Sequence, residues 1–162
     1  MLKECEIVEA DLSRAEHQRD VRVLTAAYAL DPMGNGGALS NEVLERLIPG
    51  LQAHPTTLIL LAYSDGRAVG LATCFRGFST FAARPLINIS DLAILPEFRG
   101  RGFGRQLLAA VETRARALGC CRVTLEVQEN NRGARRVYEG YGLSQAVYGP
   151  TTGGSLYYWK SL

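Results

Sequence analysis

The sequence INISDLAILPEFRGRGFGRQLL, residues 87–108, carries most of the information about the fold. It opens with alternating apolar residues, which favour a β-strand. The strand is predicted to stop near Pro96, since proline has no N–H group to give to a sheet. A basic, glycine-rich loop and an amphipathic helix follow. A loop of this kind at a helix N-terminus presents free backbone N–H groups and the positive end of a helix dipole, so the stretch predicts an anion site suited to phosphate oxygens.

The composition is that of an ordinary globular domain. Of the 162 residues, 47% are hydrophobic and 21% are charged, which is far from the pattern of a disordered chain. We expect one domain over residues 1–162, because the chain is long enough for one core and short for two. The net charge of +2 is too small to favour nucleic acid as a partner.

The sequence shows no pattern of secretion or membrane insertion. No apolar run is long enough to span a bilayer, and the first residues lack the basic and apolar pattern of a signal peptide. We therefore expect a cytoplasmic protein with no membrane partner. The four cysteines, at positions 5, 74, 120 and 121, have no C-x-x-C spacing. They are expected to be free thiols in a reducing compartment, and no metal site is indicated.

The N-terminal part predicts a strand, a helix and a flexible loop. Residues 2–9 favour the strand, and Asp11 or Ser13 is expected to cap a helix that reaches about Leu30. The glycine-rich residues 31–40 follow. They form either a plain connection or a mobile wall of a binding site.

A second helix and a β-hairpin come next. The helix is predicted after Ser40 and is expected to end at Pro49, at Gly50 or at the His54-Pro55 pair. Residues 56–78 contain two β-rich runs around Ser64-Asp65-Gly66, a sequence typical of a tight hairpin turn. The remaining predicted elements are a strand from Ile87 to Leu95, a helix from Gly102 to Leu118, a strand from Cys121 to Val127, a helix from Asn131 to Glu139, and strands from Leu143 to Tyr148 and from Ser155 to Lys160. This order predicts an α/β (α+β) fold, a mixed sheet with helices on both faces.

Two common phosphate-binding motifs fit the loop poorly. A P-loop needs a Lys and a Ser or Thr after its glycines, and residues 99–105 contain none of these. A dinucleotide fingerprint needs G-x-G-x-x-G and an acidic residue about twenty positions on. Gly100, Gly102 and Gly104 give only G-x-G-x-G, although Glu126 lies near the right distance. The P-loop interpretation fails, and the dinucleotide interpretation is weak.

The motif Arg99-x-x-Gly102-x-Gly104 follows a strand of the form D-L-x-I-x-P. In these residues the chain resembles the GCN5-related N-acetyltransferase (GNAT) family, whose acetyl-coenzyme A motif has the form R-x-x-G-x-G. The resemblance continues to Leu143, with Asn131, also a good helix N-cap, and Tyr138 at the family's spacing. The family usually ends this part in Gly-Phe, where this chain has Gly-Leu. Two motifs in the right order are more specific than a lone glycine-rich loop.

The resemblance implies a fold and a coenzyme site. The fold would be a single-domain, mixed, mostly antiparallel sheet of six to seven strands, with a splayed central parallel pair whose strands end near Leu95 and Val127. The pantetheine arm of acetyl-coenzyme A would bond backbone groups of the first of these strands, and the pyrophosphate would lie on the loop. The implied coenzyme-binding residues are Leu92, Ala93, Ile94, Arg99, Gly100, Arg101, Gly102, Phe103, Gly104, Arg105, Asn131 and Tyr138.

The resemblance also implies the catalytic groups. Tyr138 would be the general acid, because a phenol with an ordinary pKa of about 10 can protonate a departing thiolate. Glu126 is favoured as the base, and Asp91 is the alternative. Each residue has a structural interpretation as well: Tyr138 as a core aromatic, Asp91 in a hydrogen bond to backbone, and Glu126 in an ion pair with Arg122 or Arg135.

The resemblance implies an enzyme that transfers an acetyl group from acetyl-coenzyme A to a primary amine of a small molecule or peptide. Direct attack in a ternary complex is expected, since no cysteine lies in either motif. The alternatives are a non-catalytic acetyl-coenzyme A-binding or interaction module of the same fold and a nucleotide-binding oxidoreductase. The acceptor is expected near residues 28–40 and 77–85. The C-terminal aromatic run, residues 150–160, would either line this pocket or pair with a second copy in a homodimer.

Overall fold

The computed structural model describes residues 5–162. Positions 2–4 of the predicted first strand lie outside the described residues. The described chain forms two compact units, unit 1 up to Leu125 and unit 2 over Glu126–Leu162. Within residues 5–162, no helix combines the length and the apolarity needed to cross a membrane.

Unit 1 is a five-stranded sheet with helices on both faces. The sheet has the order β1-β2-β3-β4-β5; its first four strands are antiparallel neighbours, and β4 and β5 are parallel. The elements are β1 (Glu6–Glu9), α1 (Ala15–Leu30), α2 (Asn41–Ala53), β2 (Thr57–Ser64), β3 (Arg67–Ser79), β4 (Arg84–Ile94), a 3-10 turn (Pro96–Phe98), α3 (Phe103–Ala117) and β5 (Val123–Leu125). The predicted fold class, a mixed and mostly antiparallel sheet, is confirmed.

The predicted hairpin between β2 and β3 is present. Asp65 and Gly66 both have positive φ angles, 51° and 75°, as a two-residue turn of the hairpin type requires. The turn pairs Ser64 with Arg67, and the ladder continues to Thr57 opposite Phe75. This register places the apolar residues of β2 and β3 in the middle of the sheet.

Two apolar layers cover the sheet. On one face, Val21 and Leu24 of α1 and Ile48 of α2 pack in one cluster with Leu61 and Leu71 of the central strands. On the other face, α3 contacts β2, β3 and β4. The buried side chains of α3 are Phe103, Leu107, Leu108, Val111 and Ala115. Burial on both faces fixes the direction of each side chain along β4, which decides where its polar groups lie.

One predicted helix end is wrong, and another is confirmed. The N-cap of α1 is neither Asp11 nor Ser13, whereas α2 ends at the His54-Pro55 pair, with His54 as its C-cap. The N-cap of α1 is Arg14, which makes no side-chain capping bond, because Asp11 is engaged one turn earlier: its Oδ1 accepts hydrogen bonds from the N–H and hydroxyl groups of Ser13. Helix α2 continues through Pro49 to Ala53. A proline inside a helix removes one backbone hydrogen bond, and the buried contacts of Ile48 and Leu51 on either side of it offset that loss.

Unit 2 contains α4 (Arg132–Tyr141) and no strand among its described residues. The predicted strands from Leu143 to Tyr148 and from Ser155 to Lys160 are therefore wrong, and the sheet has five strands where six to seven were expected. One backbone bond, from Ser155 N–H to the carbonyl of Ala146, joins the two segments. Glycine and proline crowd the turn between them, and a strand also needs a partner and a buried face. The large apolar side chains of the segments are exposed: Val147, Tyr148, Leu156, Tyr157, Tyr158 and Trp159.

The parallel pair of strands accordingly lies at the end of the five-stranded sheet, and its predicted central position is wrong. Strand β5 is also shorter than predicted. It spans Val123–Leu125, and these residues pair with residues 87–89 of β4. The shortness of β5 leaves the last part of β4 without a parallel partner within unit 1, which matters for the site described below.

Candidate active site

The last five residues of β4 have a sheet partner on one side only within unit 1. Strand β5 pairs with Ile87, Asn88 and Ile89 and then ends, whereas β4 continues to Ile94. On its other side β4 stays paired with β3 as far as Ile94 opposite Gly70. An exposed strand edge of this kind offers unpaired N–H and C=O groups.

Along β4, the backbone N–H and C=O groups of successive residues point alternately toward β3 and toward the open edge. The N–H group of Leu95 donates to the carbonyl of Val69 at 2.8 Å, and hydrogen-bonded pairs alternate along an antiparallel ladder. The backbone N–H and C=O groups of Ala93 and Asp91 therefore point toward β3. The backbone N–H and C=O groups of Leu92 and Ile94 point toward the open edge. A register shift leaves Ser90 as an extra residue in β4. This bulge decides which residues after it direct their backbone groups toward the open edge. Of the predicted pantetheine contacts, Leu92 and Ile94 have the required backbone direction.

The start of α3 has the geometry of an anion site. Gly102 is its N-cap, with a φ angle of 84° that side chains rarely tolerate. It has no side chain to accept a hydrogen bond from the first turn, and that turn contains no acidic residue. The first intrahelical bond runs from Gln106 N–H to the Gly102 carbonyl at 3.1 Å. The amides of Phe103 and Gly104 precede this bond and point out along the positive end of the helix dipole.

Two of the three loop arginines are held by unit 1 itself. The Nε of Arg99 donates to the Ile94 carbonyl at 2.9 Å, and one of its terminal nitrogens donates to Oδ2 of Asp31 at 2.6 Å. Arg101 donates to the Glu97 carbonyl at 2.9 Å and stacks on Phe98 at 4.9 Å from the ring centre. These contacts hold the side chains of Arg99 and Arg101 in place beside the start of α3.

Asp91 is a half-buried carboxyl group that has no compensating cation within residues 5–162. It lies opposite Thr73 of β3, on the face of the sheet that α1 covers. Within residues 5–162 its side chain forms no hydrogen bond and no ion pair, so the backbone hydrogen bond that offered a structural interpretation is absent. Burial raises the pKa of Asp91 above the ordinary aspartate value. The pKa of Tyr28 on α1 is raised by burial and then by the charge of Asp91, so the two side chains lie close enough for their charges to interact.

One cysteine, Cys74, lies close enough to Asp91 for the charge of Asp91 to affect its thiol. Cys74 lies next to Thr73 on β3 and is fully buried. Burial, followed by the nearby charge of Asp91, raises the pKa of the Cys74 thiol to about 12. A thiol with so high a pKa is almost entirely protonated at neutral pH. All four cysteines are free.

Unit 2 carries the other predicted site residues. Asn131 caps α4, and its Oδ1 accepts a hydrogen bond from Ala134 N–H at 3.1 Å. Tyr138 lies seven residues further, two helical turns along, and is the buried residue of α4. Glu126 is exposed. Its proposed ion-pair partners are engaged elsewhere, since Arg135 pairs with Glu139 and Arg122 donates to the Ser79 hydroxyl.

The structure thus groups the predicted residues into two sets. In unit 1 it brings together Asp91, the open edge at Leu92 and Ile94, and the start of α3. In unit 2 it places Asn131 and Tyr138 on one helix, with Glu126 before it. The sequence placed residues 28–40 near the acceptor, but it did not single out Tyr28 and Asp31 or predict that Asp31 pairs with Arg99. Nothing local marks them, since Asp31 and Arg99 are 68 positions apart in the chain.

Comparisons with known proteins identify the family. Residues 26–143, well over half of the chain, match the acetyltransferase (GNAT) family, and the chain belongs to this family. An uncharacterized N-acetyltransferase of Bacillus subtilis strain 168 is 30% identical over 59% of this chain and 63% of its own length. The aminoalkylphosphonate N-acetyltransferase of Salmonella typhimurium strain LT2 is 35% identical over 54% of this chain and 58% of its own length. The chain therefore spans less than two thirds of the length of these curated relatives.

A solved structure extends the likeness in fold to nearly the whole chain. An aminoglycoside N-acetyltransferase in complex with coenzyme A superposes with a TM-score of 0.73, covering 97% of this chain and 95% of that chain. The two sequences are 18% identical, so the likeness is one of fold. It agrees with the mixed sheet of unit 1 and with the predicted fold class.

Proposed function

We propose that the chain is an acetyl-coenzyme A-dependent N-acetyltransferase that acetylates a primary amine by direct attack in a ternary complex. The observation that carries the proposal is the continuity of two backbone features in unit 1. The open edge of β4 leads, within ten residues, to the uncapped first turn of α3. Membership of the acetyltransferase (GNAT) family supports the same function.

The residues present suit the groups of a coenzyme A molecule. The amides at the start of α3 would hold the pyrophosphate oxygens, because a helix N-terminus favours anions. The N–H and C=O groups of Leu92 would bond the amides of the extended pantetheine arm, as an added strand does at a sheet edge, whereas the Ile94 carbonyl already accepts a bond from Arg99. Bound acetyl-coenzyme A supplies an acetyl group activated as a thioester. The N–H group of Ile94 would be available to the negative charge that develops on the carbonyl oxygen.

Asp91 is the base that unit 1 offers. An ammonium group must lose a proton before it can attack, and a carboxylate with a raised pKa accepts protons more readily at neutral pH than an ordinary one. Asp91 is half-buried, is close enough to Tyr28 for their charges to interact, and has no cation of its own within residues 5–162, so a positively charged amine would supply the missing partner. Glu126 is the alternative base, and the family resemblance assigns the general acid to Tyr138.

The relatives suggest the chemical class of the acceptor. One is named an aminoalkylphosphonate N-acetyltransferase, and a protein of the same fold is named an aminoglycoside N-acetyltransferase. Both names describe small molecules with primary amines. We infer a primary amine acceptor for this chain, carried by a small molecule or a peptide.

Turnover with a panel of amines tests the proposal. The protein is mixed with acetyl-coenzyme A and, separately, an aminoalkylphosphonate, an aminoglycoside, a lysine-containing peptide and a peptide with a free N-terminus. Free thiol is followed by absorbance and the acetylated product by mass spectrometry. We expect thiol release in step with acetylation of at least one amine, and none without amine. If the protein binds coenzyme A but forms no product with any amine, the binding-module alternative is favoured. If it binds NADH and does not bind coenzyme A, the oxidoreductase alternative is favoured.

A further inference from the structure

Arg99 joins two parts of unit 1 that are far apart in sequence. Its Nε bonds the carbonyl of Ile94, the last residue of β4, at 2.9 Å. Its terminal nitrogen bonds Oδ2 of Asp31, the residue that ends α1, at 2.6 Å. The Asp31 side chain is 15% exposed and that of Arg99 is 49% exposed. A charge-assisted bond with one partner this well covered is stronger than an ordinary surface ion pair.

Asp31 also organises the loop that follows α1. Its Oδ1 accepts a bond from Met33 N–H at 2.8 Å, and its carbonyl accepts bonds from the N–H groups of Gly34 at 2.8 Å and Gly36 at 3.2 Å. Gly34 packs so closely on the end of α1 that an added Cβ would collide with the carbonyl oxygen of Tyr28. Residues 31–37 are thus folded tightly onto α1, which favours a fixed wall over a mobile one.

This loop borders the face on which Asp91 lies. Gly34 packs against Tyr28 of α1, and Tyr28 lies close enough to Asp91 for the charge of Asp91 to raise its pKa. We propose that Asp31 is a positioning residue whose bond to Arg99 holds residues 31–37 in register with the end of β4, so that the amine acceptor meets a preformed wall beside Asp91. The proposal rests on the proposed function for its kinetic consequence, and its structural part stands without it.

The bond also fixes the role of Arg99. The charge of its guanidinium group is balanced by Asp31, and two of its donors are in use, so Arg99 is not primarily a phosphate ligand. Loss of Asp31 would leave that positive charge free beside the anion site. Coenzyme A binding would then be unchanged or slightly tighter, while use of the amine would suffer. If Arg99 were instead a phosphate ligand, variants of Arg99 would lose affinity for coenzyme A.

Amide hydrogen exchange tests the structural part without any assay of activity. The Arg99→Gln variant leaves Asp31 and its loop bonds in place, yet the proposal predicts exchange at least about threefold faster at Met33, Gly34 and Gly36. Arg116→Gln is the matched control, since it breaks an ion pair of the same 2.6 Å length on α3. It should leave exchange in residues 31–37 unchanged. Unchanged exchange in Arg99→Gln as well would overturn the proposal.

Kinetics test the functional part. In Asp31→Asn we expect the KM for the amine to rise at least about fivefold, while the dissociation constant of coenzyme A, measured by calorimetry, stays within about twofold. Asp31→Glu, which keeps the charge, should recover part of the loss, and Glu112→Gln, the control on α3, should show none. The Asp31→Asn/Arg99→Gln double variant should have an amine KM no worse than that of Arg99→Gln alone, because that variant has already lost the bond to Asp31.

The two failures can be told apart. A wild-type protein that acetylates no amine contradicts the proposed function, and the exchange experiment still decides whether the bond holds the loop. A wild-type protein that is active, with Asp31→Asn equal to it in amine KM, contradicts the positioning role alone. Tenfold weaker coenzyme A binding in Arg99→Gln with no effect on loop exchange would make Arg99 a phosphate ligand and overturn the inference.

Discussion

At the scale of single residues, the burial of Asp91 is the feature with the clearest chemical meaning. A carboxyl group without a hydrogen bond or a cation is costly to charge in the interior. Its pKa is raised by burial alone, and carboxyl groups with perturbed pKa values cluster at functional sites. The sequence identified Asp91 only through the family resemblance and placed it behind Glu126. Its surroundings, set by β3 and α1, could not be predicted locally.

Asp91 should control the acidic limb of the pH profile. Because its pKa is raised, the base becomes protonated at a higher pH than an ordinary aspartate, so kcat/KM should fall as pH drops through that raised value. Asp91→Asn should remove the limb and lower kcat/KM by about a hundredfold or more. Glu126→Gln is the comparison, and loss of the limb in that variant instead would make Glu126 the base.

The same substitution should stabilise the fold. Asp91 is protonated more readily in the folded chain than in the unfolded one, so the stability of the wild type falls as pH rises above the ordinary aspartate pKa. Asp91→Asn removes this penalty. Its melting temperature should exceed that of the wild type at pH 7 by a few degrees, since about 1 kcal/mol corresponds to about 2–4 °C at this size. Calorimetry should show the gap closing as pH is lowered; a less stable variant at pH 7 would contradict the argument.

The Tyr138→Phe variant distinguishes the two roles predicted for Tyr138, general acid and core aromatic residue. The substitution keeps the buried ring, and we expect it to lower kcat by about a hundredfold with the melting temperature nearly unchanged. Tyr141→Phe, three residues on in the same helix, is the control and should keep its activity. Steady-state kinetics and thermal unfolding decide between the two roles. Full activity in Tyr138→Phe would leave Tyr138 as a packing residue.

At the scale of elements, a negative charge added at the start of α3 should raise the stability of the fold and weaken coenzyme A binding. Gly104→Asp places a negative charge in the first turn, where the helix dipole stabilises it by about 0.3–1 kcal/mol. The same charge repels phosphate, so coenzyme A binding should weaken at least about tenfold by calorimetry. Asn41→Asp makes the matched change at the start of α2 and should leave binding intact. Equal binding in Gly104→Asp would mean that the phosphates lie elsewhere.

Two variants of Asn131 distinguish its role as the N-cap of α4 from a role in binding the coenzyme. Asn131→Ala loses the bond to Ala134 N–H and should cost about 1 kcal/mol. Asn131→Asp keeps a capping oxygen and should retain stability, while the loss of its amide N–H groups should weaken coenzyme A binding. Thermal unfolding and calorimetry measure the two effects. A stable Asn131→Asp with wild-type coenzyme affinity would reduce Asn131 to a cap.

The elements also show where prediction from sequence succeeds. The β2–β3 hairpin, β4 and α3 were predicted because periodicity and the turn sequence Asp65-Gly66 act locally. Residues 143–148 and 155–160 have the composition of strands and form none, because a strand needs a partner as well as propensity. The extension of α2 through Pro49 likewise depends on tertiary packing.

At the scale of the whole molecule, family membership followed from two motifs, and the arrangement of the unit 1 site did not. The glycine-rich loop and the D-L-x-I-x-P strand predicted an anion site beside a strand edge. They could not show that Ala93 bonds β3 while Leu92 and Ile94 face outward, because a bulge at Ser90 sets that phase. Nor could they show that Arg99 is held by Asp31, since the two meet only in the folded chain.

The most direct test of the coenzyme site is amide hydrogen exchange across residues 92–106 with and without coenzyme A. We expect slower exchange at Leu92, Ile94 and the first amides of α3, beginning with Phe103, when coenzyme A is bound. Ala93, whose N–H group already bonds β3, should not change. Protection of this pattern would place the coenzyme along the edge of β4 and at the start of α3. No protection at these amides at saturating coenzyme A would contradict the assignment of the site.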